Sequence, residues 1–517
     1  MSNLIVNFHE SKTSDLENRT LIDGEIDTIF KTDFEIRNIP VALANSLRRT
    51  FSTLCPTVTF DDTYYDATEF NSIRIDKNTS SLHNEFVSHR LSLIPINMEN
   101  EYFRKSIITE CNSEGERTWK FINSSNIPVF KLDIKNTIEK KKSRDTLGII
   151  DVTTQNFIIS SNIPKLEDEL EGKEDDSVIN PIRFFLPDFH TKESILINKL
   201  KSNMASKQDG EEMIITCIPR VGLGKKSSKN DPTGTVKYSF KIDDSKVDEV
   251  FNKKLDFLQK ERIQKGLNEY TENEISKLKK SFDLLDRERV YTKDANGEPN
   301  YFIFSVESIG FMSSSQIIYD SIINLKLSLI DIKNSFIFTS KNRNLNLKLK
   351  KKIQVNSLER NNINNGTSIK IIDENHTIGN LLQYYLRSQF LSTDLNDNKI
   401  LNIAGYRMDH PTIEEIEFIL CPSVNLSKEE LINSIKKILK GHDEFSDIDY
   451  DLLNSEYDYT ITHYISVLLF IISINKAIDD IDLFIDNFSE KSGITDTLYK
   501  IKELDDSSNY FNSNMFA

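Results

Sequence analysis

Cysteine is scarce in this chain of 517 residues. The four present, Cys55, Cys111, Cys217 and Cys421, are far apart, and none stands in a C-x-x-C pair. That spacing offers neither a zinc site nor a disulfide framework, and it points to a reducing compartment. Positive charge is short as well. Lys and Arg number 65 against 80 Asp and Glu, a formal net charge of −15. Such a chain is ill-suited to coating DNA by counterion release, which needs clustered cations. Long apolar runs are missing. The most apolar stretch, YISVLLFIISI at 464–474, is about half the ~20 residues a spanning helix needs and reads as a buried helix. The opening MSNLIVNFHE has no basic or apolar region of a secretory signal, so the chain is expected to be neither secreted nor membrane-bound.

Catalytic spacings are absent too. His83, His89, His376 and His410 form no cluster with metal-ligand spacing and read as structural or capping residues. No Ser/His/Asp set and no paired Asp motif for Mg²⁺ stands out. GLGKKSS at 222–228 invites a phosphate-loop reading, but the pattern needs glycine at 219, and Pro219 stands there.

What the chain does have is length for roughly three domains at ~150 residues each and two stretches that echo one another. DFEIRNI alternates as a strand, and Pro40 follows at a helix start. Leu43, Leu47, Phe51 and Leu54 then form one helical stripe. Far along the chain, TSIKIID precedes a helix striped by Ile378, Leu381, Leu382 and Tyr385, with Asn380 set against Asn45 and Leu382 against Leu47. Two such modules in one chain can pack helix on helix, and these eight apolar residues are the expected seam. Burying each Leu is worth roughly 1.5–3 kcal/mol. Arg48 and Arg49 lie just off the stripe, whereas Gln383 and Tyr384 occupy the matching places in the echo. The pair reads either as a solvated face or as two forks offered to a partner.

Between the echoes, residues 101–245 read as strand-rich and irregular. Two stripes, Val247/Phe251/Leu255/Leu258 and Ile275/Leu278/Phe282/Leu285, predict a helical hairpin, with a capping box at Thr271 and Glu274. YFIFSVES alternates, and Ile318, Ile322, Leu325 and Leu329 stripe a further helix. Residues 335–366, rich in Asn, Lys and Ser, read as a linker. After TSIKIID the second module continues with its helix, two strands and a helix striped by Leu431, Ile435, Ile438 and Leu439, capped by Ser427 and Glu430.

NIPVALANSLRRTF followed by NTSSLHNEFVSHRLSLIPI resembles the third subunit of eukaryotic RNA polymerase II, the archaeal D subunit and, more distantly, the bacterial alpha subunit. The residues that carry this include Asn45, His83, Glu85 and Arg90, with Gly222, Gly224, Lys225, Lys229 and Pro232 in a loop at family spacing. DENHTIGNLLQYYLR and GYRMDHP resemble the eleventh subunit, archaeal L, through His376, Gly379, Asn380, His410 and Pro411. In cells these are usually separate chains forming an assembly heterodimer; fused versions resemble those of large cytoplasmic DNA viruses.

The resemblance implies an α+β fold of two alpha-subunit-type dimerisation modules packed intramolecularly. The first (1–60 and 291–334) is split by a strand-rich inserted domain (61–245) and the helical hairpin (246–290). The linker (335–366), the second module (367–445) and a helical C-terminal extension (446–517) follow. It implies a non-catalytic platform on which the two largest polymerase subunits assemble, alongside small subunits, with Arg48 and Arg49 reaching a large subunit. Catalytic magnesium is then expected on the largest subunit, and DNA only indirectly through the complex. Many third subunits carry a zinc-binding cysteine cluster after RLSLIPI. Only Cys111 follows here, so no zinc and no other cofactor is expected. The implied location is the host cytoplasm and the virion. The rival reading is a free-standing scaffold or regulator that kept the dimer fold without the polymerase.

Overall fold

A computed structural model describes residues 4–12, 29–61, 72–100, 102–103, 106–122, 127–137, 148–160, 179–188, 191–202, 210–341, 344–350, 352–360, 363–391, 400–422 and 458–502. The chain opens with β1 (Ile5–Lys12), β2 (Ile29–Arg37) and α1 (Val41–Thr53). A strand-rich region follows: β3 (Pro56–Thr59), β4 (Ile73–Asn78), α2 (Asn84–Ser92), β5 (Ile107–Cys111), β6 (Arg117–Phe121) and β7 (Val129–Lys135). It continues through β8 (Ile149–Thr153), β9 (Ile158–Ser160), β10 (Leu196–Lys201), β11 (Glu212–Cys217) and β12 (Arg220–Leu223). Next come β13 (Thr233–Phe240), the hairpin of α3 (Asp244–Gln264) and α4 (Glu272–Leu285), β14 (Tyr301–Ser308) and α5 (Ser314–Lys333). The chain then runs through β15 (Phe336–Lys341), β16 (Asn344–Leu349), β17 (Ile353–Arg360), β18 (Ile363–Ile372) and α6 (His376–Phe390). It ends with β19 (Leu401–Arg407), β20 (Glu415–Pro422), α7 (Asp458–Ser492) and β21 (Lys500–Ile501).

Two four-stranded antiparallel sheets share one topology. Their orders are β1-β2-β14-β13 and β17-β18-β20-β19. Each unit runs strand, strand, helix, strand, strand, helix along the chain. The likeness extends to single hydrogen bonds. Arg37 N donates to Leu4 O and Asn38 N to Asn300 O; Ile372 N donates to Lys352 O and Asp373 N to Glu414 O. Asn38 and Asp373 both have φ of 60°, a left-handed conformation that Asn and Asp tolerate best among residues with a side chain. It turns the chain from the central strand into the helix. Asn38 and Asp373 stand at the same spacing as Asn45 and Asn380.

The helices α1, α5, α6 and α7 form a layer between the two sheets. Helix α5 packs on β2 and β14, and α7 on β18 and β20. Between the units, α1 meets α6 and α5 meets α7. One apolar core runs through all of it, from Phe34, Ile36, Phe302 and Phe304 in one sheet to Ile369, Ile371, Ile416 and Phe418 in the other. The fold is thus α+β, two dimerisation-type modules packed within one chain, the first interrupted by a strand-rich domain. That domain has its own core, containing Phe60, Phe130, Phe157, Phe184 and Phe185.

Three expected boundaries are corrected. Strand β13, assigned to the inserted domain, pairs with β14 and completes the first module's sheet. The stretch 335–366 is not a linker. It carries the β15–β16 hairpin, β17, which is the edge strand of the second sheet, and the start of β18. Its Asn- and Lys-rich composition hid a period-two alternation, Leu345, Leu347 and Leu349. The C-terminal stretch is not an appendage: α7 holds in the second module the place that α5 holds in the first. The buried run Ile465–Ile474 lies in its N-terminal half. The helix predicted around Leu431–Leu439, with its cap at Ser427 and Glu430, lies outside the described residues. The capping box of Thr271 and Glu274 is present at the start of α4. No described helix is long and apolar enough to cross a membrane.

Candidate functional site

The seam forms where α1 meets α6. Leu43, Leu47, Phe51, Ile378, Leu381, Leu382 and Tyr385 are all buried in the shared core, and Leu54 packs against it half-buried. Two small residues of α1, Ala44 and Ser46, are buried at this contact. The Ser46 hydroxyl donates to Thr377 O across the seam at 3.1 Å. Arg49 Nε donates to Thr377 Oγ1 at 2.8 Å. Arg49 is thus tied across the seam through its Nε, while its side chain stays half-exposed like that of Arg48. Arg48 stays on its own helix, with Nε and Nη2 donating to Asn45 Oδ1 at 3.2 and 3.1 Å. Asn45 thus orients Arg48, while its echo Asn380 is half-buried on α6.

The start of α6 is a second cluster. Asn375 caps it by accepting from Thr377 N at 2.9 Å. A Cβ on Gly379 would lie 2.5 Å from Tyr406 Cε2, so glycine admits the Tyr406 ring. His376 Nδ1 and the Tyr406 hydroxyl are 3.1 Å apart, and Tyr406 N donates to Gln383 Oε1. Burial pushes the Tyr406 phenol up, and the Arg49 charge partly counters this. On the other face, the buried Tyr385 hydroxyl donates to Asp480 on α7 at 2.8 Å. Burial and the Asp480 charge drive that phenol far above its ordinary range.

The GLGKKSS loop completes the seam from the inserted domain. A Cβ on Gly224 would lie 2.1 Å from Ser52 O, at the end of α1. The main chain presses against the helix there, and Lys225 N donates to Thr53 O at 2.8 Å. That approach aims Lys225 Nζ at Asp373 O (2.5 Å) and Asp373 Oδ1 (3.1 Å) in the second module. Burial raises the Asp373 pKa, but the Lys225 ammonium more than offsets it and holds the carboxyl below its usual range. Behind it, Lys352 and Glu374 form a buried pair at 2.8 Å. Burial lowers the Lys352 pKa, and Glu374 with Asp331 and Asp373 outweighs this, leaving it raised. Arg117 from β6 grips Asp331 with two bonds of 2.7 Å. The lysine of this loop thus reaches a carboxylate of the second module.

The remaining motif residues lie off the seam. His83 caps α2, accepting from Glu85 N at 3.4 Å, and Arg90 Nη2 donates to Leu196 O. These residues fasten α2 within the inserted domain. His410 and Pro411 are exposed on the β19–β20 turn, where His410 Nδ1 meets Thr412 Oγ1 at 2.7 Å. Among the described residues no three His, Cys, Asp or Glu side chains cluster as a metal site. Cys55, Cys217 and Cys421 are buried. Burial, with Asp331 nearby, pushes the Cys111 thiol up to about 11. Sequence reasoning missed Ser46, Thr377, Tyr406, Lys352 and Glu374. It saw Lys225 without its partner, which lies 148 residues further on.

Residues 33–329 match the RNA polymerase Rpb3/Rpb11 dimerisation domain, from β2 to α5. The chain is similar to subunit 3 of DNA-directed RNA polymerases II, IV and V of Arabidopsis thaliana, 24% identical over 322 residues, covering 58% of this chain and 86% of that one. It is also similar to subunit RPAC1 of DNA-directed RNA polymerases I and III of Saccharomyces cerevisiae, 23% identical over 312 residues, covering 59% and 84%. The RNA polymerase II subunit RPB3 of Schizosaccharomyces pombe is 26% identical over 217 residues, covering 40% and 55%. With its first module matched from sheet to helix, the chain belongs to the RNA polymerase Rpb3/Rpb11 dimerisation domain family.

Proposed function

We propose that this chain is a non-catalytic assembly subunit of a multisubunit DNA-directed RNA polymerase. It would do in one polypeptide what a third- and eleventh-type pair does in two, and nucleate assembly of the two largest subunits. The observation that carries this reading is the duplicated unit sharing one core across α1 and α6. Half of such a seam suits a family of dimerisation domains; two halves in one chain suit a fused heterodimer. Small polymerase subunits would complete the complex, and DNA would be met only through it. Arg48, half-exposed and oriented by Asn45, is the arginine we assign to a large subunit, while Arg49 secures the seam. We further propose that the chain holds no zinc and no catalytic metal, and that the magnesium belongs to the largest subunit. By its likeness to fused forms, the complex would act in the cytoplasm of a virus-infected cell and travel in the virion.

The test is affinity purification of the tagged chain from its natural source, with mass spectrometry, metal analysis and a promoter-independent transcription assay. Two large chains and RNA synthesis should co-purify. Arg48→Ala should leave a folded protein that recovers several-fold less of the large subunits. A chain that emerges alone would replace this reading with the free-standing scaffold. Wild-type recovery by the Arg48 variant would remove the site assignment alone.

A further inference from the structure

The two units differ sharply at one corner of the seam, the turn from the central strand into the crossing helix. The main-chain bonds they share fix which residues correspond. Asn38 stands where Asp373 does, and both turn through the left-handed region. By the same spacing Ile39 matches Glu374, and Ala42 matches Thr377. Leu4 and Asn300, whose carbonyls accept at this turn in the first unit, match Lys352 and Glu414. The first unit therefore has no charge at any of these five positions, while the second has three carboxylates, one ammonium and a hydroxyl. What meets this corner comes from the first unit's side. Lys225, on the loop pressed against the end of α1, holds Asp373 at 3.1 Å and lies 3.9 Å from Glu414. Arg49 Nε donates to Thr377 Oγ1, and Thr377 is buried. The second unit has no matching pair to offer in return. Tyr384 occupies the place of Arg49, and α6 leads to β19 without an inserted domain to carry a lysine.

We propose that this corner selects the partner: Lys225 and Arg49 accept the carboxylates and hydroxyl of the second unit and reject a second copy of the first. Two first units face to face would set each Lys225 against Asn38 and Asn300, which are neutral, and each Arg49 against Ala42, which has no hydroxyl. Two second units would leave Asp373 and Glu414 without that lysine and put Tyr384 where the guanidinium stands. The apolar stripes discriminate little, because Leu47 and Leu382 hold matching positions and either stripe can cover the other. Polar groups at an interface add little raw affinity but decide which partner is accepted. The Lys352–Glu374 pair lies within the second unit and takes no part in the choice. The inference concerns the pairing of the two units and holds whether or not the chain joins a polymerase.

In the uncut chain, Lys225→Met and Asp373→Asn should cost less together in urea denaturation than the sum of the two, since either one breaks the same contact. Asparagine keeps the left-handed turn, as Asn38 does. Additive costs would overturn the proposal. Choice itself is read by competition. Chains cut between β16 and β17 after folding are mixed, loosened in urea and allowed to re-pair, and native mass spectrometry measures each pair. A second unit carrying Asp373→Asn, Thr377→Ala and Glu414→Asn presents the residues of the first unit's corner. Offered beside the natural second unit, it should be taken up about fivefold less, or lower still, by the natural first unit. A first unit carrying Arg49→Met and Lys225→Met should take both alike. Equal uptake by the natural first unit overturns the proposal. So does an unchanged preference in the first unit lacking Arg49 and Lys225, which would mean that the corner serves only the second unit's own fold.

Discussion

Gly379 shows how one missing side chain sets the geometry of the seam. In an open helix, replacing Gly by Ala stabilises by about 1 kcal/mol. Here the added Cβ meets the Tyr406 ring at 2.5 Å, and Tyr406 is itself tied to Gln383 and His376. The overpacking cost of about 1–3 kcal/mol should therefore win. Gly379→Ala is expected to destabilise the chain in urea denaturation. Adding Tyr406→Ala should recover part of the loss, so the double variant should cost less than the sum of the singles. Additive costs would show that the ring is not the obstacle. The apolar seam was legible because its stripes repeat every three or four residues. Gly379 was legible only as a motif position, since the ring that requires it comes from another strand. Arg49 shows the same limit. Its side chain chooses Thr377, 328 residues away, and helical spacing carries no trace of that choice.

At the scale of the element, the segment after α7 binds the second module to the inserted domain. Helix α7 packs on both α5 and α6. Beyond it, the Tyr319 hydroxyl donates to Thr495 O, and β21 joins the edge of β5 in parallel. Tyr499 is wholly buried, its ring edge-on to Trp119 at 4.9 Å and its hydroxyl donating to Asp320 O. Removing a buried aromatic side chain costs about 3–5 kcal/mol. Tyr499→Ala should detach the short β21 first, because its two residues have little else to hold them. Trp119 emission should move to longer wavelength before the far-ultraviolet circular dichroism melts. A single transition shared by both probes would mean that the segment unfolds only with the whole. The apolar run in the N-terminal half of α7 was legible as a buried helix. Its place as the counterpart of α5 was not, because that depends on β17 and β18, and β17 was concealed in an Asn- and Lys-rich stretch.

For the whole molecule, the question is what the covalent link adds to two units that already share a core. Tethering holds partner surfaces at an effective concentration of roughly millimolar, so a seam too weak for separate chains can persist in one. Cutting the chain between β16 and β17 and co-expressing the two pieces removes the tether and leaves the α1–α6 contact intact. The halves are expected to co-elute as one particle at micromolar concentration, since the seam buries a continuous apolar stripe from each side. Leu47 is fully buried there, and Leu47→Asp would bury a charge without a partner at a cost of several kcal/mol. About 2.7 kcal/mol is already a hundredfold in affinity. The split variant should therefore dissociate at least a hundredfold more readily by analytical ultracentrifugation. The same substitution in the uncut chain should lower its melting temperature while leaving its mass that of a monomer. If the uncut variant instead exchanges partners and becomes a dimer of chains, the tether does not choose the partner, and complementarity of the seam does. If the split wild-type halves fail to associate at all, the link is obligatory, and the two units are one folding domain and not a fused pair.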